Sequence, residues 1–468
     1  MSPAPVPLPP DDDELVARLR VALRAEADAV APFSGRIRSI SAIHDWAARR
    51  RAARRRASAA VAALVAVALV GVGTAALSLH PSGSTSVGVS APAASQQPFR
   101  MRHPAPAPLG ASGSSSAAAV PAGEVPVGFD PLSATFVTPA IGYVLGTAPC
   151  GARRCLLLAS TLDGGSTWSN LGDPAPAGVT LPSLGPLPSV HLGVRFADQE
   201  HGWIYGYVGN SPVLWWTTDA GTTWRSLSPA ALAGGEVAAL ESTAGRAEAV
   251  VVRAEPPGVQ MVTAPKASAA WKPVSAVLPA GHTAAPTPQL VLQRTAGWLL
   301  EEDPAYVAGA RLDATGTWKS WSPSCATSAF RVMVAAVSTT DVVELCQATS
   351  SNGDATVYQS LHAGNAGTWR YLTQTPWGLD PQAFAANRGD SFAVAGRRGN
   401  RAEIVLHTPG SWVTPAWSGP GRVTELGFED PGQGIAVVRT ATSSRMLMTF
   451  DAGYRWGSVD FQRRQPGR

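Results

Sequence analysis

A pattern of eight residues, Ser/Thr-x-Asp-x-Gly-x-x-Trp, recurs three times in the last two thirds of this 468-residue sequence. The copies are Thr161–Trp168, Thr217–Trp224 and Thr449–Trp456. Three copies that agree at four fixed positions are not expected by chance, so one structural unit is repeated. Its fixed residues are Thr161, Asp163, Gly165, Trp168, Thr217, Asp219, Gly221, Trp224, Thr449, Asp451, Gly453 and Trp456.

Weaker copies fill the interval between the second and third. Leu312–Trp318 keeps the distance from aspartate to tryptophan, and Leu406–Trp412 keeps it with histidine in place of aspartate. Ser360–Trp369 has two extra residues, and Ala264–Trp271 retains little besides its tryptophan. The tryptophans then stand 56, 47, 47, 51, 43 and 44 residues apart, at Trp168, Trp224, Trp271, Trp318, Trp369, Trp412 and Trp456. A period of about 40–50 residues with several short strands is typical of β-propeller blades.

A second series gives the same number of units. Ahead of each of these tryptophans stand two short apolar segments separated by a turn, such as 134–137 and 142–145 in the first unit. With one strand entering the motif and one leaving it, each unit supplies four strands. Sheets arranged around one axis leave no long exposed edge. The sequence therefore predicts an all-β, seven-bladed β-propeller over about residues 127–461.

The eight-residue pattern resembles the Asp-box of BNR or sialidase-type repeats. The resemblance implies that the motifs lie at the outer rim, between the third and fourth strands of each blade, away from the ligand face. Single seven-bladed rings of this kind, such as the photosystem II assembly factors and other WD40/YVTN/BNR-like proteins, imply a protein-binding scaffold. Within the motif, we expect the aspartate to accept an N–H group two residues on, the glycine to adopt positive φ, and the tryptophan to pack beneath the hairpin.

Residues 57–79 contain no charged side chain, and a helix of about 20 such residues spans a bilayer core. Six arginines stand just before this segment, and the next fully charged residue after it is Arg100. The positive-inside rule then predicts a cytoplasmic N-terminus and an extracytoplasmic C-terminal domain. The alternative is a cleaved signal peptide, whose apolar stretch normally begins much closer to the N-terminus.

The remaining segments follow from composition. Residues 11–30 predict one amphipathic helix, either a docking helix for a cytoplasmic partner or membrane, or a solvated tail. The tail resembles those of some actinobacterial anti-sigma-like membrane proteins. The predicted parts are a cytoplasmic tail at 1–56, a transmembrane helix at 57–79, a stalk rich in Pro, Ala, Ser and Gly at 80–126, the propeller at 127–461, and a short tail at 462–468.

Four cysteines, all beyond the predicted membrane span, predict two disulfides in an oxidising compartment. Pairing of neighbours would join Cys150 to Cys155 and Cys325 to Cys346, although the sequence leaves other pairings open. No cysteine or histidine spacing matches a zinc site, so we expect no metal.

Charge argues against nucleic acid as a partner. Residues 1–56 hold 11 Arg and 7 Asp or Glu, which leaves 26 basic and 26 acidic residues in 57–468. A neutral propeller lacks the basic footprint of a nucleic-acid-binding protein.

Because sialidases share this repeat, the resemblance also raises the hypothesis of an enzyme. Sialidases need a Phe/Tyr-Arg-Ile-Pro motif, an arginine triad and a Tyr/Glu pair, and Phe99-Arg100-Met101-Arg102 lacks the Ile-Pro. We therefore expect no catalytic residues and no cofactor. An enzyme would instead show converging carboxylates or an arginine cluster at the mouth of the ring.

Two charged loops are candidates for a binding face. The acidic loop contains Glu301, Glu302, Asp303 and Tyr306, and the basic loop contains Arg397, Arg398 and Arg401. The alternative is that both are solvated hairpin tips. We expect a membrane-anchored binding or assembly scaffold whose partner is a cell-envelope protein or glycan. The alternatives are a sialidase-like glycan hydrolase, or a transmembrane sensor that signals through the tail.

Overall fold

The computed structural model describes residues 123–463 except 152, 178, 180–189, 210, 229–231, 233–234, 244, 255–256, 276–286, 304–305, 314, 327–329, 349–355, 361–368 and 389–390. The predicted cytoplasmic helix and transmembrane segment lie outside these residues, as does the stalk except for its last four positions. Over the described range, we find no helix with the length and hydropathy that a membrane span requires.

The described chain forms 29 strands, all paired antiparallel. Six sheets have four strands and one has five. The five-stranded sheet contains β1 (Gly123–Glu124), β2 (Asp130–Phe136), β3 (Gly142–Cys150), β4 (Arg153–Thr161) and β5 (Ser169–Gly172). The next two sheets are β6 (Val190–Phe196), β7 (Gly202–Val208), β8 (Ser211–Thr217) and β9 (Arg225–Ser226), then β10 (Glu236–Ser242), β11 (Arg246–Ala254), β12 (Pro257–Pro265) and β13 (Lys272–Pro273).

The remaining sheets continue in chain order. They are β14 (Thr287–Gln293), β15 (Ala296–Asp303), β16 (Tyr306–Leu312) and β17 (Trp318–Trp321); then β18 (Phe330–Ala336), β19 (Val342–Ala348), β20 (Thr356–Ser360) and β21 (Trp369–Gln374). The last two are β22 (Asp380–Arg388), β23 (Ser391–Arg398), β24 (Arg401–Thr408) and β25 (Ser411–Pro420); then β26 (Arg422–Phe428), β27 (Gly434–Arg439), β28 (Ser444–Thr449) and β29 (Gly457–Ser458). The apolar segments that the sequence pairs occupy the first and second strands of each sheet.

The sheets stand side by side around one axis. Their first strands contact one another in the order β2, β6, β10, β14, β18, β22 and β26, and β2 also contacts β27 and β28. The contacts therefore close a ring, and the predicted all-β propeller is confirmed.

The ring closes without a blade shared between the two ends of the chain. Instead, β1 adds a fifth strand to the outer edge of the first sheet by pairing with β5. The rings of Phe129 and Phe461 meet edge to face at 4.8 Å, and Gln462 Nε2 donates to Pro126 O at 3.2 Å. Ser444 N donates to Asp130 Oδ1 at 3.0 Å. Side-chain contacts between the first and last sheets thus complete the circle.

Side chains on the first strands also link neighbouring sheets. Ser133 Oγ accepts the Val194 N–H at 3.1 Å, and Gln289 bonds both the N–H and the carbonyl of Val334. In each case the side chain reaches the backbone of the next sheet in the ring. A polar residue at this inner position therefore pins two blades together.

The interior of the ring is packed with aromatic and aliphatic side chains between adjacent sheets. Trp203 and Trp298 are fully buried, Trp215 is 2% exposed and Trp216 is half-buried. These tryptophans belong to the core, as their position inside strand segments predicts.

The repeated motif forms the turn between the third and fourth strands of its sheet. In the second copy, Asp219 Oδ1 accepts from Thr217 Oγ1 at 2.8 Å and from Thr223 N at 2.8 Å. Thr217 Oγ1 in turn accepts the Gly221 N–H at 3.1 Å. The aspartate thus bonds the N–H four residues on, not two as expected, because the threonine hydroxyl takes the nearer N–H groups. The same bonds recur around Asp163 and Asp451.

Glycine and tryptophan complete each of these turns. Gly221 has φ of +83°, and a Cβ at that position would lie 2.6 Å from the Leu158 side chain of the preceding sheet. Trp224 is 7% exposed, and its Nε1 donates to Gly221 O at 3.0 Å. The motif therefore closes the hairpin and also packs adjacent sheets against each other.

Both predicted neighbour pairings of the cysteines are confirmed as disulfides. Cys150 and Cys155 join β3 to β4 near the tip of their hairpin. Cys325 and Cys346 join the segment that follows β17 to β19 in the next sheet.

Candidate functional site

The two ends of the ring differ in which connections they carry. Because all strands are antiparallel, hairpins between second and third strands lie at the same end as the connections between sheets. We call this end the upper face; the hairpin between Arg398 and Arg401 belongs to it. The opposite end, the lower face, carries the motif turns around Asp163, Asp219 and Asp451.

The three arginines of the predicted basic loop lie at one hairpin tip on the upper face, and all are exposed. Arg397 Nη2 donates to Gly399 O at 3.3 Å, and Arg401 Nε donates to Ser418 Oγ at 3.0 Å. Arg398 pairs with Glu403 at 3.4 Å. Two of the three guanidinium groups therefore bond only neutral oxygens of the described residues.

The predicted acidic loop is not a loop. Strand β15 continues through Glu301 and Glu302 to Asp303, which pairs in register with Tyr306 at the start of β16. Glu301 is fully buried. The side chains of Glu302, Asp303 and Tyr306 lie outside the described part of the structure. Strand pairing extends further toward the tip than the polar sequence indicates, so Glu301 cannot contact a partner on the upper face.

Further arginines lie beside the basic hairpin, and no local sequence pattern marks them. Arg401 is paired in register with Pro420, and the exposed Arg422 follows two residues later. Arg445 Nη2 donates to Pro420 O at 3.2 Å, and its guanidinium lies 5.5 Å from the Trp417 ring. Only the pairing between strands brings these side chains together.

Trp377 stands on the same face and is 84% exposed. It lies in the connection that enters the sheet of β22, where Leu379 N donates to Pro376 O at 3.2 Å. Leu379 is fully buried, so the connection is anchored while Trp377 projects from it. The sequence Pro-Trp-Gly indicates an exposed tryptophan, because proline and glycine favour a tight turn and a turn has no buried strand face against which the indole can pack.

Two cavities occupy the axis of the ring. The larger, of about 1740 Å³, extends toward the lower face, and the smaller, of about 400 Å³, opens at the upper face. Both are lined by Tyr205, Ala238, Thr424 and Glu425. These residues therefore form the boundary between the two cavities.

A guanidinium and two carboxylates converge at this boundary. Arg195 Nε donates to Glu241 Oε1 at 2.9 Å, and Arg195 Nη1 lies 3.7 Å from Glu425 Oε1. Glu425 also accepts from Ser133 Oγ at 2.6 Å and from Ala134 N at 2.9 Å. We call Arg195, Glu241 and Glu425 the axial cluster. Its members come from the second, third and last sheets respectively, and the bonds of Glu425 to Ser133 and Ala134 also link the last sheet to the first.

Burial and mutual attraction set the ionisation of the axial cluster. Burial raises the pKa of Glu241, while Arg195 opposes that rise. Burial tends to lower the pKa of Arg195, but the charges of Glu241, Tyr205 and Glu425 outweigh it and raise that pKa. Burial also raises the pKa of Tyr205 to about 12, so its phenol stays neutral. Within the cluster, Arg195 therefore stays protonated, and burial favours the neutral form of Glu241.

The axial cluster meets the expectation for converging carboxylates but not that for an arginine triad. Arg331 donates to Pro381 O at 3.2 Å and Arg253 to Gln260 Oε1 at 2.6 Å, so each is engaged elsewhere. Within the described residues, Arg195 is the arginine that joins the two carboxylates.

One group of metal-type ligands occurs in the described part of the chain, formed by Cys325, Glu344 and Cys346. The two sulfurs are bonded to each other as a disulfide, so they offer no thiolate. The group therefore presents a single carboxylate, which accepts the Ser324 N–H at 2.9 Å.

Comparison with known proteins gives structural likeness only. No protein family matches the sequence, and no match is found among curated proteins. The structure of YCF48 bound to a D1 peptide has 15% identity and a TM-score of 0.46, covering 71% of this chain and 94% of that one. The β-propeller domain of the Trilobed protease from Pyrococcus furiosus has 6% identity and a TM-score of 0.45, covering 72% and 99%. The GH74 enzyme of Niastella koreensis has 14% identity and a TM-score of 0.37, covering 72% and 66%. At these TM-scores the likenesses carry no argument about function.

Proposed function

We propose that this protein is a membrane-anchored, extracytoplasmic scaffold that binds or assembles a cell-envelope protein or glycan on its upper face. In this proposal residues 57–79 anchor the chain with its N-terminus in the cytoplasm. Residues 80–126 hold a seven-bladed propeller of the Asp-box type away from the membrane.

The contrast between the upper face and the axis carries the proposal. At the axis, Arg195, Glu241 and Glu425 are engaged with one another. On the upper face, Trp377 projects from the anchored turn before β22, and exposed arginines project from the β23–β24 hairpin and the start of β26. Exposed, rigidly held aromatic and guanidinium groups are typical of protein-binding surfaces.

Photocrosslinking of the full chain in its native envelope tests the scaffold. A photoreactive amino acid replaces Asn400 at the upper hairpin tip, and the control replaces Thr222 in a lower-face motif turn; both positions are exposed. We expect discrete crosslinked products from position 400 and none from position 222. Equal labelling at both positions, or none at either, contradicts a binding role of the upper face.

Membrane fractionation tests the anchor. The full chain should stay with the membrane after alkaline extraction, and deletion of 57–79 should release it. A deletion variant that still sediments with the membrane contradicts this part of the proposal.

The axial cluster favours one second candidate, a glycan hydrolase. Two carboxylates, one of them with a raised pKa, are the groups that glycoside hydrolysis requires. If this is the activity, the full chain releases reducing sugars from envelope glycans and Glu241→Gln abolishes the release. Equal release by both proteins, or none by either, removes the hydrolase candidate.

A further inference from the structure

We infer that the upper face of the last two sheets binds an acidic peptide segment that carries an apolar or aromatic side chain. The surface consists of Trp377, Arg397, Arg398, Arg401 and Arg422, which we call the basic rim. The inference rests on the proposed scaffold function and specifies the chemistry of its partner.

The basic rim is continuous because strand register places its members next to one another. Asp380, three residues after Trp377, lies opposite Arg397 in the register of β22 and β23. Arg398 pairs with Arg401, and Arg401 with Pro420. Arg422 follows Pro420 at the start of β26, after Gly421 with φ of +106°. The rim thus runs from the connection before β22 to the connection before β26.

Charge on the rim is unbalanced. Along its strands, the four arginines and the half-buried Arg445 have two carboxylates beside them, and Arg422 also lines the upper cavity with Glu236 and Glu425. Glu403 pairs with Arg398, and Asp380 accepts a bond from Gln347. Arg422 is exposed and makes no hydrogen bond or ion pair within the described residues. Carboxylates on a partner could therefore form bidentate bonds with Arg397, Arg401 and Arg422 without displacing an ion pair of the described residues.

The exposed tryptophan indicates that the partner carries an apolar group as well as negative charge. Trp377 holds most of its indole in water, although its neighbour Leu379 is fully buried. A large aromatic side chain on an anchored turn supplies apolar contact at little cost in conformational entropy. An apolar residue between the acidic residues of the partner would cover it.

The extent of the charge favours a peptide over a polyanion or a membrane. The sequence after residue 56 carries equal numbers of acidic and basic residues, so the rim does not belong to a region with a net basic charge. Anionic lipid surfaces and long polyanions bind through extended basic fields. A short acidic segment needs only the few guanidinium groups that the rim provides.

Fluorescence anisotropy on the full chain in uncharged detergent micelles tests the inference. The probe is a labelled short peptide in which Glu and Asp flank a central Phe. Control peptides replace the acidic residues by Gln and Asn, or Phe by Ala. We expect the acidic probe to bind, each control to bind at least about tenfold more weakly, and affinity to fall as salt rises.

Matched variants locate the binding. Trp377→Ala with Arg422→Gln should weaken binding of the acidic probe by at least about tenfold. The control pair is Tyr454→Ala with Arg455→Gln, an exposed aromatic residue and arginine in the lower-face turn of the last sheet. This pair should leave binding unchanged, and circular dichroism should show that both variants fold.

Three outcomes overturn the inference. They are no binding of the acidic probe, equal weakening by both variant pairs, or tighter binding of poly-glutamate or phosphatidylglycerol vesicles with no dependence on Trp377. Crosslinking from position 400 together with any of these outcomes would leave the scaffold proposal standing and reject only the acidic peptide.

Discussion

The lower-face motif turns and the upper-face basic rim are built on opposite principles. In the turns, Asp163, Asp219 and Asp451 repeat the same hydrogen bonds, and each aspartate is engaged with its own hairpin. In the rim, Trp377 stands in a Pro-x-Gly-x-Asp-Pro turn whose counterpart ahead of the first sheet carries Val127, so only its side chain breaks the repeat, and Trp377 and Arg422 are both exposed. Residues that repeat stabilise the ring, whereas residues that break the repeat are available to a partner.

The comparison predicts its largest effect for a motif tryptophan. Trp224→Ala should lower the free energy of unfolding by about 3–5 kcal/mol, because it empties a buried site between two sheets. Chemical denaturation of the full chain measures the change. Binding of the acidic probe, corrected for the folded fraction, should be unaltered. A stability loss below about 1 kcal/mol would show that the tryptophan is not a core element.

The disulfides predict the next largest effect on the upper face. Cys325→Ser with Cys346→Ser opens a longer loop than Cys150→Ser with Cys155→Ser, because the sequence separations are 21 and 5. Loop entropy predicts losses of about 3 and about 2 kcal/mol respectively. Thermal unfolding of the two double variants should reproduce this order. The reverse order would mean that strain or residual structure, and not loop length, governs their contribution.

Glu344, beside the second disulfide, predicts a pH effect. Burial raises its pKa from 4.5 to about 7, against the opposing bonds from Ser324 and Cys325. Because the folded chain holds this proton more tightly than the unfolded chain does, the stabilisation is complete below pH 4.5 and is lost as the pH rises to 7. Between pH 4.5 and 7, the free energy of unfolding of the parent should decline by an amount on the order of 2 kcal/mol, and Glu344→Gln should remove this decline. Melting temperatures measured across this pH range follow the change. If the variant loses as much stability over this pH range as the parent does, the loss comes from Glu248 or Glu429, whose pKa values burial also raises to about 7.

A smaller effect is expected from the aspartate of a motif turn. Burial opposes ionisation of Asp219, but bonds from Thr223 and Thr217 outweigh burial and lower its pKa. Asp219→Ala should lower the free energy of unfolding by about 1–2 kcal/mol at pH 7, with probe binding intact. Preserved stability with lost binding would reverse the roles assigned to the two faces.

The smallest effect on stability belongs to the rim. Trp377→Ala should change the free energy of unfolding by less than about 0.5 kcal/mol, because its side chain is already 84% exposed. Differential scanning calorimetry of the variant and the parent measures this. A loss comparable to that of Trp224→Ala would place Trp377 in the core.

The fold could be predicted because its determinants are local and repeated. Every motif tryptophan lies within a few residues of the turn that it supports, so spacing along the chain reports spacing around the ring. The disulfide pairs could also be anticipated, since each joins cysteines that are close in sequence. The hydrogen bonds inside the motif were harder to predict from the sequence, because Thr217 and Asp219 compete for the same N–H groups.

The residues of the candidate site could be predicted from the sequence only in part. Arg397, Arg398 and Arg401 are adjacent in sequence, and the pattern revealed them. Arg195, Glu241 and Glu425 lie on separate first strands and meet only when the ring closes, so no local pattern connects them. The prediction that Glu301 lies in an exposed loop was wrong because it relied on the local sequence alone. A carboxyl in a polar stretch predicts a solvated hairpin tip, although strand pairing buries this one.

The pairing of β1 with β5 has a mechanical consequence. Force applied to the chain ahead of Gly123 acts first on a two-residue strand at the outer edge of the first sheet. That strand can be pulled away while β2 to β5 keep their own ladder. Release of its two residues transfers the load to Val125, which is buried in the core of the ring, so the edge strand separates before that core is disturbed.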